Sequence, residues 1–276
     1  MTDTLADTLR RHDRDRFQLA LFAPSARRPA IMALYAFNYE VARIREVASE
    51  PMLGQIRLQW WRDALAEIYA GASPHRHEVV TPLAEAIRAQ DLSRVHFDAI
   101  LDAREADILD QRPADAASLE TYAEETSSRL IFLALEILGA PAPEAARAVG
   151  IAHALAGLLA AVPFHARMKR CYLPDDRVAA LGLDVDRTLF ELKPSPPLAQ
   201  IAREIVGRAR QTLDEAGPLL GAAPRAALPA LLPAVLARRR LKRIERVNYN
   251  LFDPRLSVPD GTQSLRLLWA ATRGRV

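Results

Sequence analysis

Five acidic side chains stand between positions 98 and 110: Asp98, Asp102, Glu105, Asp107 and Asp110. Two carboxylates four residues apart, as Asp98 and Asp102 are, share one helix face and offer oxygens to a divalent cation. The plain alternative is a solvated acidic face. Earlier in the chain, Glu40, Arg43 and Glu46 are spaced for ion pairs of only about 0.2–0.5 kcal/mol. From Ala145 to Pro174 there is no Asp or Glu at all. That stretch carries a stripe of Ala154, Gly157, Ala161 and His165 at helical spacing, then Arg167, Lys169 and Arg170. Small residues along such a stripe predict the close approach of another helix. Arg43, Arg167 and Arg170, with His165, form a candidate set for gripping a phosphate or a phospholipid head group, because guanidinium is a planar fork for phosphate oxygens.

Arg238, Arg239, Arg240, Lys242, Arg243 and Arg246 make the most basic segment. It lacks interleaved aromatics and any nucleic-acid motif, so nucleic acid is not expected as a partner. An anionic lipid surface or an acidic partner suits it, and a solvated helix does equally. His75 and His77 flank Arg76 and suggest zinc only weakly, for want of further ligands. No Gly-rich phosphate loop, Ser-His-Asp arrangement or dinucleotide fingerprint is visible. Cys171 is the single cysteine, which excludes an internal disulfide or a cysteine metal cluster.

Positioning these groups falls to helices. Hydrophobic residues are 50% of the 276, Gly numbers 11, and few alternating β-branched runs occur; an all-α chain follows. Periodicity predicts helices near 2–22, 27–48, 52–70, 78–90, 93–111, 116–139, 143–169, 197–216, 225–248 and 260–272. Pro24, Pro51, Pro74, Pro113, Pro141, Pro174 and the Pro194/Pro196/Pro197 cluster are placed in connections. Without repeats or a long linker, residues 1–276 read as a single domain. Leu34, Phe37, Val41, Ile44 and Ala48 give the second helix a continuous apolar face, and Trp60 and Trp61 are expected in the core. The net charge of +3 permits an acidic partner or anionic membrane without requiring one. The polar N-terminus lacks the apolar core of a secretory signal. Ile151–Val162 is far short of the roughly 20 residues that cross a bilayer. A cytoplasmic location is the default.

Residues 13–62 and the run up to Tyr172-Leu173-Pro174 resemble the two signature regions of the squalene/phytoene synthase family, the head-to-head prenyl transferases. Leu34-Tyr35-Ala36-Phe37 is similar to the family's lead-in to an aspartate-rich motif, whose three acids fall here on Ala42, Arg43 and Glu46. In the second signature, positions that carry Gln, Asn and two Asp in active members read Ala154, Gly157, Ala161 and His165, with Phe164 in place of the intervening Glu. Residues 56–64 resemble the family's arginine-tryptophan helix. Tyr122–Gly139 resembles a later family helix, with Thr126, Ser127, Ser128 and Arg129 replacing its small apolar core. Leu236–Pro259 resembles the closing helix and its turn, here Tyr249-Asn250-Leu251-Phe252. The likeness is strongest over 13–272 and implies a helical bundle of the class I isoprenoid (terpenoid) synthase type. It also places Asp107 at an ordinary family position.

The resemblance implies chemistry through what is missing. Ionising a prenyl diphosphate needs magnesium held by carboxylates, and losing one preorganised charge stabiliser commonly costs about 10²–10³ in rate. Ala36-Phe37-Asn38 with Glu40, Pro163-Phe164-His165, and Lys169-Arg170 ahead of Leu173-Pro174 resemble the branch that includes the mitochondrial assembly factor of respiratory complex I. The expectation is therefore a catalytically silent member without metal or cofactor. It would help assemble NADH:quinone oxidoreductase, with complex I subunits or assembly intermediates as partners, in the cytoplasm or peripherally on the cytoplasmic face of the inner membrane. Two alternatives stay open: a magnesium-dependent head-to-head prenyl transferase, and a non-catalytic isoprenoid- or lipid-binding protein. Pro163 is read either as a kink in the signature helix or as that helix's end.

Overall fold

The computed structural model describes residues 4–48, 50–72 and 76–276. All regular structure among them is helical, with no strand. In chain order the helices are α1 (Leu5–His12), α2 (Arg14–Ala20), α3 (Arg28–Ala42), α4 (Ile44–Val47), α5 (Pro51–Tyr69), α6 (Val80–Gln90) and α7 (Arg94–Ile108). Next come α8 (Ala116–Ala123), a π-helical turn at Glu124–Ser128, α9 (Arg129–Leu138), α10 (Pro143–Ala160) and α11 (Val162–Arg167). The last are α12 (Asp175–Ala180), α13 (Pro196–Glu215), α14 (Gly217–Ala222), α15 (Leu228–Leu231), α16 (Pro233–Arg246), α17 (Pro254–Ser257) and α18 (Gln263–Arg273).

Proline sets many of these starts. Pro51, Pro143, Pro196, Pro233 and Pro254 are each the first residue of a helix, where the missing N–H would have had no intrahelical partner. Pro51 and the Pro196/Pro197 pair thus begin helices rather than lying in connections, while Pro74 lies outside the described residues. Asp13 breaks the first expected helix by capping α2: its carboxylate accepts the Arg16 backbone N–H at 3.1 Å. The expected helix over 143–169 breaks at Ala161, and Pro163 sits in the first turn of α11; it marks the end of one helix, not a kink within it. The helix over 27–48 breaks at Arg43, and Pro233 divides the one over 225–248. Both degenerate signatures therefore fall at helix breaks.

One hydrophobic core runs from Leu9 to Ala270. Its centre is α10, which packs on α13, α16, α8, α9 and the π turn. The close approach is confined to Gly150, which continues the Ala154–His165 stripe one turn earlier on the same face: a Cβ there would come within 2.4 Å of the Ser128 Cα and 2.5 Å of its N. The apolar face of α3 is buried as expected, with Phe37 edge-on to both Trp61 and Phe97. Trp61 is in this core, but Trp60 is turned outward at 38% exposure and leans on His77. The helix phase that buries residue 61 forces its neighbour to the surface.

Candidate functional site

Among the described residues, the most buried charges meet where α7, α8 and the segment after α11 converge. Asp107 and Arg170 are 5% and 6% exposed at their side chains. The Asp107 carboxylate accepts from Arg104 Nη1 at 2.9 Å, from Tyr122 Oη at 2.9 and 3.0 Å, and from Tyr172 Oη at 2.9 Å. Arg170 Nη2 donates to Tyr172 Oη at 2.5 Å and to the Asp107 carbonyl at 3.2 Å. Its Nε lies 3.6 Å from Asp110, which Arg45 grips with two hydrogen bonds. Burial raises the pKa of the Tyr122 and Tyr172 phenols, so both remain donors. Burial alone would weaken the Arg104 charge, but Tyr122 and Asp107 outweigh it and its pKa is raised. A buried charge persists only when paired in this way.

This cluster is a wall between two cavities. On one side, about 480 Å³ is bounded by Asp107, Asp110, Arg112, Lys169, Cys171 and Phe190 among others. On the other, about 320 Å³ is bounded by Ala154, Gly157, Leu158, Ala161 and His165, facing Asp13, Asp15, Arg16, Arg104 and Arg240. The stripe thus lines a space instead of packing on a helix. Thr126 and Ser127, on the π turn, complete the lining with Tyr122 and His153; single π turns within helices are frequent at functional sites. The Nδ1 atoms of His153 and His165 are buried without a hydrogen-bond partner. Burial and then Arg170 lower the His165 pKa to about 4, and burial with Arg240 and Arg16 takes His153 well below its ordinary value. Both imidazoles are neutral at pH 7.

The donor set of the stripe cavity does not fit magnesium. Its two carboxylates are both engaged: Asp13 binds Arg16 Nη1 at 2.6 Å, and Asp15 binds Arg240 and Gln263, the latter at 2.6 Å. Three arginines outnumber two aspartates on the lining, whereas magnesium takes hard oxygen ligands and usually at least one free carboxylate. Among the described residues no three His, Cys, Asp or Glu side chains converge to hold a metal ion.

The residues singled out from sequence are dispersed. Arg43 and Glu46 line neither cavity; Arg43 pairs with Glu40 at 3.7 Å and covers the Tyr39 ring, and Glu46 is exposed. Ala42 closes α3 just before the break. Ala161 and His165 face the stripe cavity, while Phe164 is 46% exposed. Of the four proposed anion-gripping groups, Arg170 is locked in the wall, His165 is on the stripe, Arg43 is outside, and Arg167 is exposed with only a 3.4 Å contact to the Pro163 carbonyl. They do not form one cluster. Asp98 and Asp102 pair with Arg94 and Arg62, and of the acids on α7 only Asp107 is buried. In the basic segment, Arg239 holds Asp260, Arg240 holds Asp15, and Arg243 donates to three backbone carbonyls at 255, 256 and 258. His77 caps α6 through Nδ1, accepting from the Val79 and Val80 N–H groups; His75 lies outside the described residues. Sequence reasoning passed over His153, Asp15 and Arg104. The usable signal was periodicity, since 153, 157 and 161 also share a helix face.

Residues 9–262 match the family model for squalene/phytoene synthase. The chain belongs to the squalene/phytoene synthase family. A Bos taurus protein named NADH dehydrogenase (ubiquinone) complex I, assembly factor 6 is 32% identical over 253 residues, spanning 91% of this chain and 75% of that protein. A presqualene diphosphate synthase of Rhodopseudomonas palustris is 30% identical over 164 residues, 58% of each chain. The crystal structure of a dehydrosqualene synthase in complex with ligand superposes with a TM-score of 0.82 at 17% identity, covering 98% of this chain and 94% of the other. The fold of this family member is accordingly that of the isoprenoid synthases.

Proposed function

We propose that this chain is a catalytically silent member of the squalene/phytoene synthase family that acts in the assembly of respiratory complex I. The observation that carries the reading is the electrostatics of the stripe cavity. Where a prenyl diphosphate would need cation-holding oxygens, the wall offers Ala154, Gly157, Ala161 and a neutral His165, opposite aspartates already bound to arginine. A leaving diphosphate gathers charge that only a fixed counter-charge can offset. The three lining arginines could bind such an anion but are themselves tied to carboxylates, so little free positive charge remains to draw electrons from the leaving oxygen. Similarity over most of the chain to proteins named complex I assembly factor 6 supports the assembly role.

The decisive experiment is deletion of the gene with complementation. Complex I measured by native gel and NADH:quinone activity is expected to fall in the deletion strain and to return with the intact gene. Normal complex I without the gene refutes the assembly role. The second reading, an active prenyl transferase, is favoured by the presqualene diphosphate synthase relative. It predicts that purified protein with magnesium consumes farnesyl or geranylgeranyl diphosphate. The silent reading predicts no product at high enzyme concentration, and any turnover abolished by substitution of a cavity residue refutes it.

A further inference from the structure

The outer face of α18 is apolar and carries nothing. Leu265, Leu268 and Trp269, spaced three and four apart, are 67%, 54% and 59% exposed, while Leu267 and Ala270 on the opposite face are buried. Singly exposed apolar residues are ordinary, but three on one face of a helix mark a contact surface. The charge carried by this segment itself has one sign, and Asp15, which Gln263 of α18 touches, is spent on Arg240. Residues 261–276 contain Arg266, Arg273 and Arg275 and no acid, and all three arginines are exposed. The Arg273 guanidinium lies 3.9 Å from the centroid of the Trp269 ring. The nearest acids along the chain, Asp253 and Asp260, are bound to Arg255 and Arg239.

We infer that α18 lies in the surface of an anionic lipid bilayer, with Leu265, Leu268 and Trp269 seated at the acyl boundary and the arginines on lipid phosphates. An apolar helix face, an interfacial tryptophan and flanking arginines are the components of such a helix. At 11 residues α18 lies on the bilayer, since no described helix is long and apolar enough to cross one. The more basic α16 is not the contact: Arg239, Arg240 and Arg243 are consumed within the chain, and its exposed Lys242 and Arg246 accompany no exposed large apolar side chain on that helix. The exposed apolar stripe of Met52, Leu53, Ile56 and Trp60 on α5 carries the exposed Arg57 but sits with three exposed acids, Glu46, Glu50 and Asp63, an excess of negative charge that an anionic surface repels. The inference does not rest on the assembly role, and vesicles read it directly.

The test is co-sedimentation of the full chain with phosphatidylcholine vesicles, with and without phosphatidylglycerol. Binding is expected to the anionic vesicles, to weaken as salt rises, and to be slight with phosphatidylcholine alone. Quenching by brominated lipid is expected for wild type and lost in Trp269→Phe. Leu265→Ser/Leu268→Ser/Trp269→Ser is expected to bind at least tenfold more weakly, and Arg266→Glu/Arg273→Glu roughly fivefold or more weaker per position. All these side chains are exposed, so circular dichroism should be unchanged. Met52→Ser/Ile56→Ser should bind as wild type does. No binding of wild type to anionic vesicles at low salt, or wild-type binding by both α18 variants, overturns the inference. So does loss of binding in the α5 variant alone. A protein captured through α18 by a chain that ignores vesicles would assign the face to that protein instead.

Discussion

Replacing Asp107 with Asn tests whether the wall between the cavities holds the fold together. The change preserves shape but removes the charge that balances Arg104 and Arg170, whose side chains are 15% and 6% exposed. It also turns an amide N–H₂ toward at least one of the three donors now ending on the carboxylate. Removing one partner of a buried ion pair costs about 3–5 kcal/mol, because the other charge stays buried. In a domain of this size that lowers Tm by roughly 6–20 °C. The control is Asp102→Asn, on the same helix but 70% exposed and paired with Arg62, which should change stability by no more than about 1 kcal/mol. Guanidinium denaturation of the two variants beside wild type supplies the comparison. In a double-mutant cycle, Arg104→Met with Asp107→Asn should be less damaging than the sum, with a coupling of about 1–3 kcal/mol. The reasoning is refuted if Asp107→Asn lies within about 1 kcal/mol of wild type, or if the two single changes simply add.

Gly150→Ala should destabilise by about 1–3 kcal/mol or more, since the new methyl meets the Ser128 backbone. Gly157→Ala, whose nearest neighbour is Arg240 Nη1 at 3.9 Å, should be neutral or gain up to about 1 kcal/mol from helix propensity; thermal melts of both decide it. The His165 pKa is depressed to about 4 in the fold, so on acidification the unfolded chain takes the proton first. Its contribution is complete above about pH 6.5 and is lost as pH falls toward 4, on the order of 3 kcal/mol in all. His165→Gln should therefore lose less stability than wild type between pH 7 and pH 4.5 in urea titrations, and equal losses would reject the assignment. The buried Cys171 thiol, with its pKa raised by burial, should react with Ellman's reagent only as fast as the fold opens; prompt reaction in native buffer would contradict this burial.

Much of the architecture was legible along the chain because it depends on local periodicity. The apolar stripe of α3, the extents of α5 and α13, and the acid-free run across α10 and α11 can all be read from neighbours three and four apart. Local chemistry also explains the breaks at Asp13 and Pro163, since a capping carboxylate and a missing N–H act within one turn. Which small residues would meet a helix and which would face a cavity was not legible. Gly150 and Gly157 are alike in sequence, and only the position of the π turn over α10 separates them.

Charge shows the same division most sharply. The sequence by itself determined an all-helical member of a known family whose two signatures have lost most of their acids. It also determined that α18 would carry arginines and no carboxylate. Only the tertiary structure decided that Asp107 would be the buried acid on α7, that Asp15 would be spent on Arg240 across 225 positions of chain, and that Arg239, Arg240 and Arg243 of α16 would find their partners within the chain. A side chain's charge is set by its type, but the partner that neutralises it is set by which helices pack together, and that pairing has no period along the chain.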